Sequence, residues 1–252
     1  MSFENSYSVI LPTLNEVGHL KSLIIDIAKN FHKLNIVYEI IVIDDNSIDG
    51  TIESISEINH LNLIIHKRHN PKKSLVQSLN EGINISKYKN IIWMDADYSH
   101  PPEYIEEFIK HKKNSNIDII VCSRFLKKSR RYYEETRTKS AAIDYLSQFL
   151  NKVCRAFLFN NFTDYTSGFI CIKKEIIKNI RLKGYYGDYF ITLITKCKVE
   201  GKSILEIPFI EKERASGQSK TTGNKFNFII KCYFYFIALV KSIIQKYLKI
   251  FF

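Results

Sequence analysis

The marks of a secreted, disulfide-held or membrane-spanning protein are missing from this 252-residue chain. Cysteine is sparse and scattered: Cys122, Cys154, Cys171, Cys197 and Cys232 are five in number, with no Cys-x-x-Cys pair. That usage suggests neither a zinc site nor a disulfide framework and reads as reduced thiols in the cytoplasm. Met1-Ser2-Phe3-Glu4-Asn5 lacks a basic stretch followed by an apolar one, so no signal peptide is expected. No internal repeat, low-complexity linker or clear domain boundary interrupts the chain. Acidic residues are also short, 26 Asp and Glu against 37 Lys and Arg, a net charge of +11. Such an excess favours an anionic partner, whether nucleic acid, an acidic membrane surface or a phosphorylated substrate.

Long uncharged runs are absent too. Toward the end, 226–252 is rich in Phe, Tyr and Ile, yet its longest uncharged stretch, 232–240, falls far short of the roughly 20 residues that span a bilayer. Lysines interleaved with aromatics fit a helix lying in the membrane interface better than one crossing it. The alternative is a C-terminal helix that packs its aromatic face on the core. From Lys212 onward there are eight Lys or Arg against Glu213 alone, and a second basic run lies at 127–131. At 45% apolar and 25% charged residues, the chain has enough material for one full globular core.

What is present is an alternation of short β-rich runs with helical patterns. Residues 8–11, 38–43, 61–66, 90–94 and 118–122 read as strands, with helices over 16–33, 49–58, 75–86 and 102–114 between them. Near-continuous apolar strands alternating with helices predict a parallel sheet covered on both faces. Later, 140–159 and 188–199 read as helices, and 168–172 and 203–209 as extended. In such sheets ligands bind outside the carboxyl ends of the strands. Three polar clusters fall there: Pro12-Thr13-Leu14-Asn15-Glu16, Asp44-Asp45-Asn46-Ser47 and Asp95-Ala96-Asp97. The last delivers two carboxylates one residue apart at the end of a buried strand. Such an oxygen-rich site suits Mg²⁺ or Mn²⁺, which combine one or two carboxylates with substrate phosphates.

In combination these motifs resemble the inverting glycosyltransferases of family 2, specifically the dolichyl/polyprenyl-phosphate mannose synthase group. The resemblance runs from about Ser8 to Lys220. Pro12-Thr13-Leu14-Asn15-Glu16 is similar to the family's opening Pro-Thr-x-Asn-Glu. Asp44-Asp45-Asn46-Ser47-x-Asp49-Gly50-Thr51 and Asp95-Ala96-Asp97-Tyr98-Ser99-His100-Pro101-Pro102 match its next two signatures. Ser123-Arg124-Phe125, Asp164-Tyr165-Thr166-Ser167-Gly168-Phe169 and Arg214-x-x-Gly217-x-Ser219-Lys220 follow in the same order. The resemblance implies a GT-A-type, Rossmann-like α/β fold, a mostly parallel sheet flanked by helices. It also implies a catalytic domain over 1–222, which leaves 223–252 as the amphipathic membrane-interface helix that its composition suggests.

As implied by the family, Pro12, Thr13, Asn15, Glu16, Asp44, Asn46, Asp95, Ala96 and Asp97 bind the nucleotide sugar, and Asp95 and Asp97 hold the metal. Arg124, Arg137, Ser167, Arg214, Ser219 and Lys220 serve the diphosphate and the acceptor phosphate, with Asp97, Arg124, Arg214 and Lys220 the catalytic set. Asp188 is either an acidic helper or the cap of the following helix. Asp49 either caps its helix or touches ligand, and His100 either closes its loop or touches substrate. The implied reaction transfers a hexose, mannose from GDP-mannose being favoured, onto a dolichyl or polyprenyl phosphate. A phosphate acceptor is already anionic near neutral pH and needs little help from a general base. The demand falls on metal and cations that bring two anions together, which the basic excess of the chain meets.

Two departures stand out. Relatives carry Gly-Leu-Gly or Gly-Leu-Ser where this chain has Ser74-Leu75-Val76, and Ser-Arg-Gly-Ala-Asn where it has Ser140-Ala141-Ala142-Ile143-Asp144-Tyr145. The expected setting is peripheral, at the cytoplasmic face of an anionic membrane, as in the compact catalytic-subunit form, with a small membrane-anchoring partner an option. Competing readings are a UDP-sugar-dependent polyprenyl-phosphate glucosyl or aminosugar transferase, a glycan-extending transferase, and an inactive nucleotide-sugar-binding subunit. Nucleic-acid binding is disfavoured, because the acidic cluster would repel a polyanion that brings no bridging metal.

Overall fold

The computed structural model describes residues 5–58, 61–70, 72–127, 129–131, 141–212 and 225–248. Nine strands follow in chain order: β1 (Ser6–Thr13), β2 (Val37–Asp44), β3 (Leu63–Lys67), β4 (Asn90–Trp93), β5 (Ile119–Ser123), β6 (Arg130–Arg131), β7 (Ile170–Lys173), β8 (Ile204–Pro208) and β9 (Ile210–Glu211), among the described residues. Seven of them form one sheet, ordered β3-β2-β1-β4-β7-β5-β8, while the short β6 and β9 pair separately. All contacts in the large sheet are parallel except those of β7, which runs antiparallel to β4 and β5. Every strand predicted from the sequence is present. The β6–β9 pair was not expected, being too short to leave a pattern.

The sheet is buried on both faces because its strands are apolar at both parities. Ile10, Ile41, Ile91, Trp93, Val121 and Ile170 point to one side, with α3 (Leu75–Ile85), α5 (Ala141–Phe157), α6 (Lys174–Ile177), α7 (Tyr189–Val199) and α8 (Lys225–Leu248). Val9, Leu11, Ile40, Val42, Ile92 and Cys171 point to the other, with α1 (Leu20–Lys33), α2 (Thr51–Ser56) and α4 (Tyr104–Asn114). Helix α3 lies very close to β1: a Cβ at Gly82 would stand 2.5 Å from Ile10 Cγ2. Only glycine allows that approach.

Several predicted helix starts move, two of them at the motif loops. The helix expected from residue 16 begins at Leu20, because the N–H groups of Glu16 and Val17 are taken by the side chains of Thr51 and Asp49. The one expected from residue 49 begins at Thr51, after Gly50 in the left-handed region at φ 87°.

Helix α8 joins the core. Ala238 and Leu239 are buried in it, while Tyr233, Phe236, Tyr247 and Leu248 are exposed. Among the described residues no helix is long and apolar enough to cross a membrane.

Candidate active site

Strands β1 and β2 end in register, Thr13 opposite Asp44. The loops that follow are laced together by side chains. Asn15 sits at φ 53°, donates its N–H to Ser47 Oγ at 2.8 Å and accepts from Ile48 N–H at 2.9 Å. Glu16 N–H donates to Thr51 Oγ1 at 2.8 Å, and Glu16 Oε2 stands 2.9 Å from His19 Nε2. Asp49 accepts from Thr51 N–H at 3.0 Å and Val17 N–H at 3.2 Å. Burial would raise its carboxyl, but the hydrogen bond from Thr51 and these N–H groups hold it below the ordinary range. Asp49 therefore orders the loop and the start of α2. The Asp44 carboxylate is fully buried and accepts from Ser47 N–H at 3.1 Å. Asn46, at φ 62°, donates its amide to Asn70 O at 2.9 Å.

A buried arginine absent from the motifs braces this half. Arg68, following β3, pairs with Asp45, reaches Glu81 at 2.9 Å and donates to Gln77. Asp45 in turn accepts from Ser74 N–H at 2.5 Å. Ser74 Oγ accepts from Gln77 N–H and so caps α3. Ser74 thus opens α3 beside the loop that follows β2. Arg68 has no sequence signature of its own; the buried Asp-Asp pair at the end of β2 is the one clue that a cation must stand nearby.

At the end of β4, Asp95 and Asp97 flank the buried Ala96. Asp97 is 3% exposed and accepts from Ser99 N–H at 3.0 Å. His100 is buried, stacked on Phe169 at 4.8 Å, and its Nδ1 accepts from Asp95 N–H at 2.9 Å. Its imidazole closes the loop that presents the two carboxylates. Donor chemistry and setting fit a hard divalent cation: two carboxylates on one strand end, their loop pinned by backbone bonds. Among the described residues no group of three or more His, Cys, Asp and Glu side chains converges, so ligand oxygens would complete the shell. A cavity of about 150 Å³ brings Asp95 together with Pro12, Ser167, Gly187 and Tyr189.

Arg124, expected to serve the phosphates, is arranged otherwise. Arg124 forms a fork with the fully buried Asp164, both bonds 2.8 Å, donates to Thr166 Oγ1 at 2.7 Å and meets Glu211 at 3.4 Å. Burial works against charge on both groups, yet each holds the other ionised: Asp164 is below the usual carboxylate range and Arg124 above its own. Arg124 is therefore a pin rather than an open phosphate ligand. Glu206 on β8 supports it, accepting from Thr163 N–H at 2.8 Å and Asp164 N–H at 3.0 Å. Ser167 donates to Cys122 O at 2.5 Å, which makes it a brace of the same loop.

Asp188 precedes α7 but does not cap it. Its Oδ1 accepts from Tyr185 N–H at 3.1 Å and Tyr186 N–H at 2.6 Å, tying the preceding loop back. Arg137, Arg214, Ser219 and Lys220 lie outside the described residues. The chain reaches that last segment at Lys212, whose N–H donates to Ser99 O at 3.1 Å, two residues from Asp97.

Compared with known proteins, residues 8–181 match the profile of Glycosyl transferase family 2. The chain belongs to that family. It is 31% identical over 222 residues to a dolichol-phosphate mannosyltransferase of Pyrococcus furiosus, covering 86% of this chain and 59% of that protein. It is 25% identical over 233 residues to a dolichol-phosphate mannosyltransferase of Mycosarcoma maydis, 86% of this chain and 74% of that one. The chain thus spans less than two thirds of the length of the Pyrococcus relative. Glucosyl-3-phosphoglycerate synthase of Mycobacterium tuberculosis, solved with UDP, superposes with a TM-score of 0.69 at 14% identity, covering 95% of this chain and 80% of that one. The fold is that of the GT-A-type glycosyltransferases, as the resemblance implied.

Proposed function

We propose that this chain is an inverting hexosyltransferase that moves mannose from GDP-mannose onto the phosphate of a dolichyl or polyprenyl phosphate. One observation carries the reading. Asp95 and Asp97 stand at the carboxyl end of β4, next to the paired ends of β1 and β2, with Asp95 sharing a cavity with Pro12. The dolichol-phosphate mannosyltransferase relatives support the acceptor class.

In this reading Thr13, Asn15, Glu16, Asp44 and Asn46 line the nucleotide pocket, the acidic groups accepting from base and ribose. Asp95 and Asp97 hold Mg²⁺ or Mn²⁺, which supplies Lewis-acid stabilisation of the departing diphosphate. Arg124 and Asp164 fix the loop that faces the acceptor. Arg214, Ser219 and Lys220 supply the phosphate donors that the buried Arg124 does not. The acceptor phosphate oxygen attacks the anomeric carbon from the face opposite the nucleotide, and no side chain is required to remove a proton. Residues 1–222 form the catalytic part, and α8 meets an anionic membrane at its cytoplasmic face, peripherally or beside a small anchoring subunit.

The test is transfer from radiolabelled GDP-mannose, UDP-glucose and UDP-N-acetylglucosamine to a short polyprenyl phosphate, with Mg²⁺, Mn²⁺ or chelator. Lipid product from GDP-mannose, abolished by chelator, is expected. Product from a UDP sugar alone would replace the donor assignment. No product from any donor, in detergent and in liposomes, would favour a different sugar, a missing membrane partner or an inactive binding subunit over the GDP-mannose reading.

A further inference from the structure

A groove of about 790 Å³ runs between α7, α8 and the 179–185 loop, apart from the Asp95 cavity. Its floor is apolar: Leu182, Leu193 and Ala238 are buried, and Phe234 and Ile237 are half-buried. Four cations line it: Arg181, Lys183 and Lys241, and Lys196, which also stands 4.0 Å from Glu200 Oε1. The single acid, Asp188, is turned to the backbone of Tyr185 and Tyr186. Beside the groove, α8 exposes Tyr233, Phe236 and Val240 at 59%, 62% and 38%. Ligand cavities commonly enclose ~300–1,000 Å³, so the space is that of a binding site rather than a packing defect.

We propose that this groove binds an anionic phospholipid of the bilayer. The acyl chain would lie against Leu182, Leu193 and Ile237, and the headgroup phosphate among Arg181, Lys183, Lys196 and Lys241. Charge complementarity selects this occupant. A soluble phosphate leaves the apolar floor wet, and a neutral apolar segment brings no anionic group to Arg181, Lys183 and Lys241. An amphiphile with an anionic head meets both demands, and the exposed aromatics of α8 are suited to the bilayer boundary from which it would come. The inference is independent of the transfer reaction, because binding is read with no sugar donor present.

Flotation of the full 252-residue chain with phosphatidylcholine vesicles, with and without phosphatidylglycerol, tests it. The wild type should float with the anionic vesicles. Ile237→Arg obstructs the floor while adding positive charge. Loss of one apolar wall should lower association by about tenfold or more. Simple attraction to an anionic surface predicts the opposite sign, since each added cation strengthens it. Equal or tighter binding by Ile237→Arg would therefore overturn the groove. Thr192→Trp obstructs it from the α7 wall without changing charge and should give the same drop. It carries the test alone if Ile237→Arg melts below the wild type. Inorganic phosphate, compared with sodium chloride at equal ionic strength, should not displace the protein; if it does, the cations recognise free phosphate and the lipid assignment falls.

Discussion

The two halves of the binding edge hold their motif residues in different ways. On the β1–β2 side, side chains such as Asn15, Ser47, Asp49 and Thr51 spend their polar atoms on backbone N–H groups, most of them tying one motif loop to the other across 32–35 positions, with the Arg68–Asp45 pair bracing them. On the β5–β7 side, order comes from one buried ion pair, Arg124 with Asp164, supported by Glu206 from a distant strand. Two motifs whose side chains bond each other's backbone can be read together. An arginine whose charge is met by a buried carboxylate of another motif does not reveal in sequence whether it faces a ligand or the protein. That contrast separates residues whose loss should stop chemistry from those whose loss should loosen the fold.

The largest effect is expected at Asp97. Asp97→Ala should lower turnover on the order of 10²–10³, the range for removing one preorganised electrostatic partner. Its melting temperature should stay near the wild type, since the apolar core beneath it is unchanged. Rates at saturating donor over a titration of Mn²⁺ check it. Turnover that survives would remove this carboxylate from the metal site.

Arg124 should behave differently. Arg124→Ala strands Asp164 as a fully buried charge and should cost about 3–5 kcal/mol of stability, visible in urea unfolding. Activity should fall because the protein unfolds rather than because a phosphate contact is lost. A stable Arg124→Ala protein with a raised KM for the acceptor lipid would restore the open-ligand role.

The same pair sets an acid limb. Burial raises the Asp164 carboxyl, Arg124 more than offsets it, and the net direction is down. A depressed folded-state value stabilises above the unfolded carboxylate range, near ~4, and that stability is lost as pH falls through the folded value. Unfolding measured from neutral to acid pH should steepen below ~4 in the wild type. Replacing both partners with apolar residues, Arg124→Met with Asp164→Leu, should flatten that limb at little cost at neutral pH. Identical slopes in the two proteins would place the acid sensitivity elsewhere.

Much of this was legible in advance. Apolar runs of both parities announced a sheet covered on two faces, and the strand ends carried the acidic motifs where the fold puts them. What stayed hidden were partners fixed by packing. Arg68 lies outside every motif, Glu206 sits in a strand read only as extended, and the antiparallel entry of β7 leaves no periodic mark. The tail illustrates the same limit. Its aromatics suggested either a membrane face or a core face, and α8 has both an exposed aromatic side and a side buried through Ala238 and Leu239. Composition shows that a helix is apolar on more than one side, whereas the neighbour that covers each side belongs to the tertiary structure.

The smallest effect expected is at Ser74, and it sharpens the contrast most. The family glycine is replaced here by a serine whose hydroxyl caps α3 and whose N–H holds Asp45, itself paired with Arg68. Ser74→Gly keeps the backbone N–H and removes the hydroxyl. Exchanging a serine cap for glycine costs only a few tenths of a kcal/mol, so the melting temperature should barely move. If the hydroxyl serves only the helix, KM for the donor should be unchanged as well. A donor KM that falls while stability holds would mean that the missing glycine restricts nucleotide approach. The cost of Ser74 would then lie in recognition, on the side of the site where bonds from side chains to backbone otherwise explain the loops.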